Sequence, residues 1–343
     1  MGKKPTLRDI AKQAEVSVST VSQVMNNKSG VSPQLRQRIL QVAAELGYRS
    51  TVVMDVELAT ELRTIGLLTK YRDDDALVVN PFYSHIIVGA ERECTRHNIS
   101  LMYANVHVDE HNRVNSLPPM LLDQRVDGVI VVGAFLEETL DNINRRAHQN
   151  TVLVDAYTQD GNAFDSVLID NVSGAATAVQ YLVSLGHRRI GLVGSQPHSY
   201  PSIRERRLGY LKVLDQHGLE AFIEDSALNR TDACEAAKRL IGREPELTAI
   251  FACNDEVAIG VIGALQEVGL RVPEDVSVIG FDDIDFAQEV TPPLTTLHVD
   301  KIMMGVVAVR HLLDRSREPL RTPLKTLVVP QLIERESVRS LFD

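Results

Sequence analysis

The sequence of 343 residues lacks long apolar runs and a cysteine framework. No run approaches the roughly 18 apolar residues that span a membrane, and the start, MGKKPTLRD, lacks the apolar segment of a secretory signal. Three cysteines, Cys94, Cys234 and Cys253, are far apart and form no CxxC pair, which disfavours disulfides and a zinc site. We therefore expect a soluble protein of the cytoplasm, with no membrane contact.

Common catalytic motifs are absent as well. The chain contains no G-x-G-x-x-G after a first strand, no GK[ST] phosphate loop, no H-E-x-x-H and no nucleophile elbow. His97, His107 and His111 are close in sequence, but they span a predicted strand and a loop, which disfavours a shared metal ion. We therefore expect no catalytic residue, metal or cofactor. A nucleotide-binding enzyme is less well supported than a protein that only binds its partners.

What the chain does have is an uneven distribution of charge. Residues 1–49 carry eight Lys and Arg against three Asp and Glu, a net charge of +5, whereas the whole chain carries −10, which leaves −15 for the rest. The length favours two or three domains. A small basic segment beside a large acidic one is typical of a protein that binds a polyanion.

The first 49 residues predict three short helices. Thr6 and Asp9 have the spacing of a capping box, Ser17 is a favourable N-cap for a second helix, and Ser32 with Pro33 begins a third. The second helix, within VSVSTVSQVMNN, places apolar residues on one face and Ser, Thr, Gln and Asn on the other. With a tight turn between the first two helices, this pattern predicts an all-α helix-turn-helix domain.

Small polar side chains suit a helix that enters the major groove, because they let its backbone approach the phosphates and the base edges. We predict that Val18, Ser19 and Gln23 contact bases, with Gln23 pairing with adenine and Val18 packing on a thymine methyl group. The residues predicted to contact phosphates are Thr6, Ser17, Thr20, Ser22 and Asn26. The alternative is a three-helix interaction domain with a solvated Ser and Thr face, which the basic charge disfavours.

The run TLRDIAKQAEVSVSTVSQVMNN, followed by GVSPQLRQRI and LGY, closely resembles the DNA-binding headpiece of the lactose/galactose repressor (LacI/GalR) family of bacterial transcription regulators. Further family-like segments are RVDGVIVVG, RERRLGYLKVL, AIFACNDEVAIG, GLRVPEDVSVIGFDDIDFA and PPLTTLHVD, so the resemblance covers most of the chain. It implies a ligand-responsive regulator, typically a repressor, that binds a roughly palindromic operator as a homodimer.

Along residues 62–343, apolar β-branched runs alternate with helical patterns, which predicts parallel sheets with helical crossovers. The resemblance implies two doubly wound lobes of the periplasmic-binding-protein type, with crossings between them near Asp155, Phe286 and Leu320. We divide the chain into a helix-turn-helix domain, 1–49, a hinge or linker, 50–61, and a ligand-binding and dimerisation domain, 62–343.

The hinge departs from the family pattern. In the family this segment folds into a helix on the operator and inserts a leucine into the minor groove. Here the matching position is Glu57, and Met54 and Asp55 replace the usual alanine and arginine. Because phosphates repel a carboxylate, we expect a hinge that bends DNA weakly or in another register, with a simple linker as the alternative.

Ligands of open α/β sheets bind beyond the carboxyl ends of the strands, where several polar residues follow apolar runs. The positions that the resemblance assigns to effector contact are Phe82, Tyr83, Asp155, Arg206, Asn254 and Asp282. Carboxylates, an amide and a guanidinium beside aromatic rings suit a sugar-like polyol. Sugar-binding relatives often carry glutamine where this chain has Val299, so a nucleobase or another small metabolite is the alternative.

Each of these candidates also has a structural alternative. Asp155 and Asn254 could cap following helices, and Arg206 could form a structural ion pair with its charged neighbours. A solute-binding transport protein would share the fold of residues 62–343. It would need a signal peptide and would have no use for the basic residues 1–49, which therefore distinguish the two classes.

Two further segments are predicted to be structural. Asp170 and Asn171 form an N-cap pattern before a helix that starts near Val172. In the turn LGHRRIG, Gly186 is predicted to end that helix, with basic residues near its C-terminus.

Overall fold

The computed structural model describes residues 6–25, 31–46, 62–71, 81–147, 150–158, 164–196 and 199–342. The chain divides into two compact units, Met1–Ala59 and Thr60–Asp343. The predicted hinge, 50–61, with Met54, Asp55 and Glu57, lies outside the described residues, and so does Asn26.

The described part of the first unit contains three mutually packed helices, α1 (Leu7–Ala14), α2 (Val18–Met25) and α3 (Pro33–Glu45). The backbone N–H and the hydroxyl of Thr6 both donate to the Asp9 carboxylate at 2.7 Å, so the predicted capping box forms. Glu15, at a left-handed φ of 57°, ends α1, and the Ser17 hydroxyl accepts from the N–H of Thr20 at 3.1 Å to begin α2. The buried apolar side chains are Ile10, Ala11, Ala14, Val21, Val24, Ile39, Val42 and Ala43.

The second unit alternates strands and helices, as its hydrophobic pattern predicts. Its described strands are β1 (Thr64–Tyr71), β2 (Ser100–His107), β3 (Gly128–Val132), β4 (Thr151–Val154), β5 (Asp165–Ile169), β6 (Ile190–Val193), β7 (Phe222–Glu224), β8 (Ala249–Ala252), β9 (Ser277–Ile279), β10 (Thr296–His298), β11 (Lys325–Val328) and β12 (Gln331–Ile333). Its described helices are α4 (Pro81–Arg96), α5 (Pro119–Leu122), α6 (Glu137–Arg146), α7 (Asn171–Ser184), α8 (Pro201–His217), α9 (Arg230–Arg243), α10 (Asp255–Glu267) and α11 (Lys301–Arg317), with a 3-10 turn at Asp285–Gln288. Of the helices described, none is long and apolar enough to cross a membrane.

Two parallel sheets organise this unit. One has the strand order β11-β5-β4-β3-β1-β2 and the other has the order β7-β6-β8-β9, while β10 and β12 form a short antiparallel pair. Every residue of β3, β4, β6 and β8 is buried, as expected for strands with helices on both faces. We call the six-stranded sheet with α4–α6 and α11 the first lobe, and the four-stranded sheet with α7–α10 the second lobe. The predicted α/β class is therefore confirmed.

Two of the expected crossings between the lobes are misplaced. Because β5 pairs with β4, the chain leaves the first sheet after Ile169 rather than near Asp155. Because β11 pairs with β5, the last crossing follows Val328 rather than Leu320. The middle crossing lies between β9 and α11, a segment that includes Phe286. A strand that is apolar on both faces carries no sequence signal for the sheet that it joins.

Candidate functional site

The outward face of α2 carries the side chains predicted to contact bases. Val18, Ser19 and Gln23 are exposed, with 43% of the Val18 surface accessible, whereas Val21 and Val24 on the opposite face are buried. The three predicted base-contacting side chains therefore share the solvent side of one short helix, as insertion into a groove requires.

Hydroxyl groups at the start of α2 are joined to one another. The Ser17 Oγ lies 2.7 Å from the Ser19 Oγ and 2.8 Å from the Thr20 Oγ1. The hydroxyl of Thr6 instead donates to Asp9. Because a phosphate oxygen only accepts hydrogen bonds, Thr6 would have to release Asp9 to donate to DNA. Thr6 thus has a capping role here, and its phosphate contact stays a prediction.

Most of the predicted effector contacts come together where the strand ends of the two lobes meet. Asp155 follows β4 in the first lobe, whereas Asn254 follows β8 and Asp282 lies shortly after β9 in the second. The Nη1 of Arg206, on α8, donates to the Cys253 carbonyl at 2.6 Å, and its Nη2 donates to the Asp282 Oδ1 at 2.8 Å. The ion-pair partner of Arg206 is thus Asp282, and not a neighbour along the chain.

Close packing of α7 and α8 fixes the position of Arg206. A Cβ at Gly209 would lie only 2.4 Å from the Val172 carbonyl oxygen, so glycine permits this approach. As a result, the Nε of Arg206 donates to the Asn171 Oδ1 at 2.9 Å, and its guanidinium lies 3.8 Å from the centre of the Phe281 ring. Only 4% of Arg206 is exposed, so its charge depends on these partners.

Asp155 lies in the cleft between the two lobes and carries a carboxylate oxygen without a hydrogen-bond partner among the described residues. Its backbone is left-handed, with φ of 50°, and its Oδ2 receives a long hydrogen bond of 3.4 Å from the Tyr83 hydroxyl. Its Oδ1 is buried without a hydrogen-bond partner among the described residues. Burial raises the pKa of the Asp155 carboxyl to about 7, although Arg206 opposes this rise. The capping alternative is wrong for Asp155, because residues 156–158, which directly follow it, are not helical.

Tyr83 and Phe82 line this site from α4. Their rings make an edge-to-face contact, with centroids 5.6 Å apart and an interplanar angle of 77°. Burial raises the pKa of the Tyr83 hydroxyl well above its usual value, and the nearby Asp155 carboxylate adds to this effect. Tyr83 therefore stays protonated and serves as a donor.

Asn254 has the capping role that was its structural alternative. Its Oδ1 accepts from the N–H of Val257 at 2.9 Å, at the start of α10. Effector contact by the amide Nδ2 of the same side chain is compatible with this cap and stays a prediction.

Three side chains that the sequence did not assign to the site also belong to it: Asn171, Tyr157 and Glu205. The prediction for Asn171 was wrong in part, since Asp170 alone caps α7, by accepting from the N–H of Ser173 at 3.1 Å. Asn171 is instead buried and donates to the Glu205 Oε2 at 3.1 Å and to the Tyr157 hydroxyl at 3.2 Å. Tyr157 also donates to Glu205 at 2.9 Å. The sequence did not reveal this role of Asn171, because Tyr157 and Glu205 are distant from it along the chain.

The turn LGHRRIG is structural, as predicted. Gly186 has a φ of 94°, which suits the residue that follows a helix. His187 is fully buried, with its Nδ1 2.9 Å from the Thr248 Oγ1 and its Nε2 3.1 Å from the Arg339 carbonyl oxygen.

The three histidines considered as metal ligands contact different side chains. His97 lies beside Glu93, His107 beside Asn115, and His111 beside Glu110.

Comparison with known proteins identifies both units. The profile of bacterial regulatory proteins of the lacI family matches residues 6–50, and that of a periplasmic binding protein-like domain matches residues 179–338. The HTH-type transcriptional repressor PurR of Haemophilus influenzae (strain PittEE) is 32% identical over 344 residues, which cover 98% of this chain and 99% of the relative. The chain belongs to the LacI family.

Two solved structures of transcription regulators resemble nearly the whole chain. The transcriptional regulator CelR in complex with cellobiose is 28% identical, with a TM-score of 0.71, covering 97% of this chain and 100% of the other. The lac repressor dimer bound to operator and the anti-inducer ONPF is 26% identical, with a TM-score of 0.68, covering 98% and 100%.

Family membership confirms several predictions from the sequence. The protein is a DNA-binding transcriptional repressor with an effector-binding domain, and it is a regulator rather than an enzyme. LacI-family repressors bind operator DNA, dimerise and bind small-molecule effectors, which are the predicted partners.

Proposed function

We propose that the protein acts in the cytoplasm as a homodimer that binds a roughly palindromic operator through α2. We further propose that a sugar-like polyol, bound between the lobes, controls this binding. The observation that carries the ligand site is the Asp155 carboxylate, whose Oδ1 is buried and has no hydrogen-bond donor among the described residues. Buried polar atoms are nearly always satisfied, so a donor from a ligand explains this one.

The groups around Asp155 offer the complementary chemistry. Arg206 has N–H groups beyond the three that bind Asn171, Cys253 and Asp282. A polyol donates its hydroxyl protons to carboxylates, accepts from guanidinium and amide groups, and packs its C–H faces on aromatic rings. Cellobiose in the related CelR regulator has this character.

On DNA, the proposed contacts divide by chemistry. Val18, Ser19 and Gln23 contact base edges. The residues that contact phosphates are Thr6, Ser17, Thr20, Ser22 and Asn26. A homodimer places its two recognition helices about 34 Å apart along one face of the duplex, which requires half-sites with two-fold symmetry. A ligand that favours one orientation of the lobes changes this spacing, and such coupling is typically about 1 to 3 kcal/mol.

A thermal-shift screen tests the ligand class. The full-length protein is heated with cellobiose, D-ribose, sugar phosphates or adenine. A ligand at 100 times its dissociation constant adds about 2.7 kcal/mol to the free energy of unfolding, or a rise of about 5 °C in Tm for a domain of this size. We expect a sugar to give this rise and Asp155→Asn to lose it. Stabilisation by adenine alone would overturn the proposed class.

A further inference from the structure

Lys301 is a buried lysine at the first position of α11. Only 4% of its surface is exposed, and it follows the N-cap Asp300, whose side chain accepts from the N–H of Met303 at 2.8 Å. A positive charge is unfavourable at this end of a helix, where the dipole is also positive. Burial of an ammonium group is costly as well. An apolar residue would avoid both costs, so the contacts of Lys301 must account for its presence.

Those contacts are two backbone carbonyls and one aromatic ring. The Lys301 Nζ donates to the carbonyl oxygen of Asp282 in a short hydrogen bond and to that of Asp283 at 3.0 Å. It also lies 5.7 Å from the centre of the Phe82 ring, in range of a cation–π contact. The ammonium group thus holds the backbone of the turn that carries a predicted effector contact.

This turn has an unusual backbone. Asp282 and Asp283 have φ values of 108° and 50°, in the region that side chains disfavour. Their carboxylates bind elsewhere, Asp282 to Arg206 at 2.8 Å and Asp283 to Arg335 at 2.7 Å. The charge of Lys301 opposes the rise that burial causes in the pKa of the Asp282 carboxyl. Its hydrogen bonds, however, go to the main chain, where they help to offset the strain.

Lys301 also belongs to the first lobe, where its helix α11 packs closely against α4. Helices α4 and α11 cross in close contact, because a Cβ on Gly89 or on Gly305 would lie only 2.0 or 2.1 Å from a carbonyl oxygen of the opposite helix. Lys301 and Phe82 therefore belong to one closely packed helix pair. The turn at Asp282 follows β9 of the second lobe, so one side chain joins the two walls of the cleft.

We propose that Lys301 is a positioning residue of the cleft, which sets the distance between Asp282 in the second lobe and the Phe82 ring in the first. Its effect on ligand affinity rests on the proposed function, whereas its effect on the turn does not. Lys301 does not need to touch the ligand, because it determines the gap that a ligand between carboxylate and ring must fill.

Residue-resolved amide hydrogen exchange on the ligand-free, full-length protein tests the effect on the turn. In Lys301→Met we expect the amides of Asp282 and Ile284 to exchange about tenfold faster or more, with the amides inside α10 unchanged. Lys301→Gln, which keeps a donor, should give a smaller increase. The control is Lys212→Met, which alters an exposed lysine on α8 and should leave the turn unchanged. Unchanged exchange in both Lys301 variants, or equally faster exchange in the turn and in α10, would overturn the proposal.

A binding experiment then tests the effect on the cleft. Calorimetry with cellobiose or D-ribose, whichever stabilises the wild type, should show affinity reduced about tenfold in Lys301→Met and within twofold of wild type in Lys212→Met. Equal affinity in wild type and Lys301→Met would contradict the positioning role. If neither sugar binds the wild type, the proposed ligand class fails, while the exchange experiment still decides the role of Lys301.

Discussion

The helix α2 and the cleft of the second unit use polar groups in opposite ways. On α2 and at its N-cap the polar side chains are uncharged and at least partly exposed, and the hydroxyls of Ser17 and Thr20 contact each other at 2.8 Å. In the cleft, Arg206 and Asp282 are buried and held by charged or backbone partners. Under the proposed function, DNA binding relies on many weak, adaptable contacts, whereas the side chains of the cleft are already held in place before a ligand binds. Single substitutions should cost more in the cleft than on the helix.

The largest effect is expected at Arg206. In Arg206→Met the Asp282 carboxylate stays buried without its partner, which should cost about 3 to 5 kcal/mol of unfolding free energy, measured by urea denaturation followed by circular dichroism. The control is Arg207→Met, because Arg207 pairs with Asp225 at 3.4 Å where both side chains are partly exposed and should lose under about 1 kcal/mol. Equal losses of unfolding free energy in the two variants would show that burial does not make the charge of Arg206 more important than that of Arg207.

On α2, Gln23→Ala should weaken binding at one operator position by about 1 to 3 kcal/mol and relax the base preference there. Binding to random duplex should stay unchanged, because Gln23 carries no charge for the phosphates. Fluorescence anisotropy with a selected operator and its single-base variants measures this. Gln13→Ala, an exposed position on α1, is the control. An equal loss of affinity for random DNA would show that Gln23 contacts the DNA backbone and not a base.

Asp155 should make the stability of the second unit depend on pH. Its pKa is raised from 3.8 to about 7 on folding, so the folded state holds a proton that the unfolded chain releases. The stability contributed by this group is therefore full below about pH 4 and is lost as the pH rises towards 7. We expect the stability of Asp155→Asn relative to the wild type to be greater at pH 8 than at pH 5 by about 2 kcal/mol in urea unfolding. The same gain at both values would show that Asp155 does not titrate in this range.

The smallest effect is expected at Ser17. Loss of the hydrogen bond to the N–H of Thr20 in Ser17→Ala should cost about 1 kcal/mol of the stability of the first unit. Thermal loss of the NMR amide signals of residues 6–25 follows this unit alone. Ser19→Ala, which leaves the backbone bond of the cap intact, should cost less than about 0.5 kcal/mol. A cost for Ser19 as large as that for Ser17 would argue against the cap.

Local signals in the sequence predicted the first unit well. The caps at Thr6 and Ser17 and the apolar faces of α1 and α2 depend on residues within four positions of one another. The strand ends at Asp155 and Asp282 were also found, since a polar residue after a buried strand marks the edge of a parallel sheet.

The rest of the site depends on contacts that no local pattern encodes. Asn171 looks like part of a helix cap, although it binds Arg206, 35 positions away. Lys301 looks like an ordinary lysine after a cap, yet it is buried and binds carbonyls 18 and 19 positions earlier. The sheet membership of β5 was missed for the same reason, because pairing with β4 leaves no periodic signal.

The most direct test of the account measures operator affinity with and without the sugar that stabilises the protein, using an operator selected from random duplexes and a scrambled competitor. The account predicts a preference of about a thousandfold or more for the operator, changed about 5-fold to 150-fold by the sugar, with no response in Asp155→Asn. Equal affinity for both duplexes, or a response to the sugar that survives in Asp155→Asn, would contradict it.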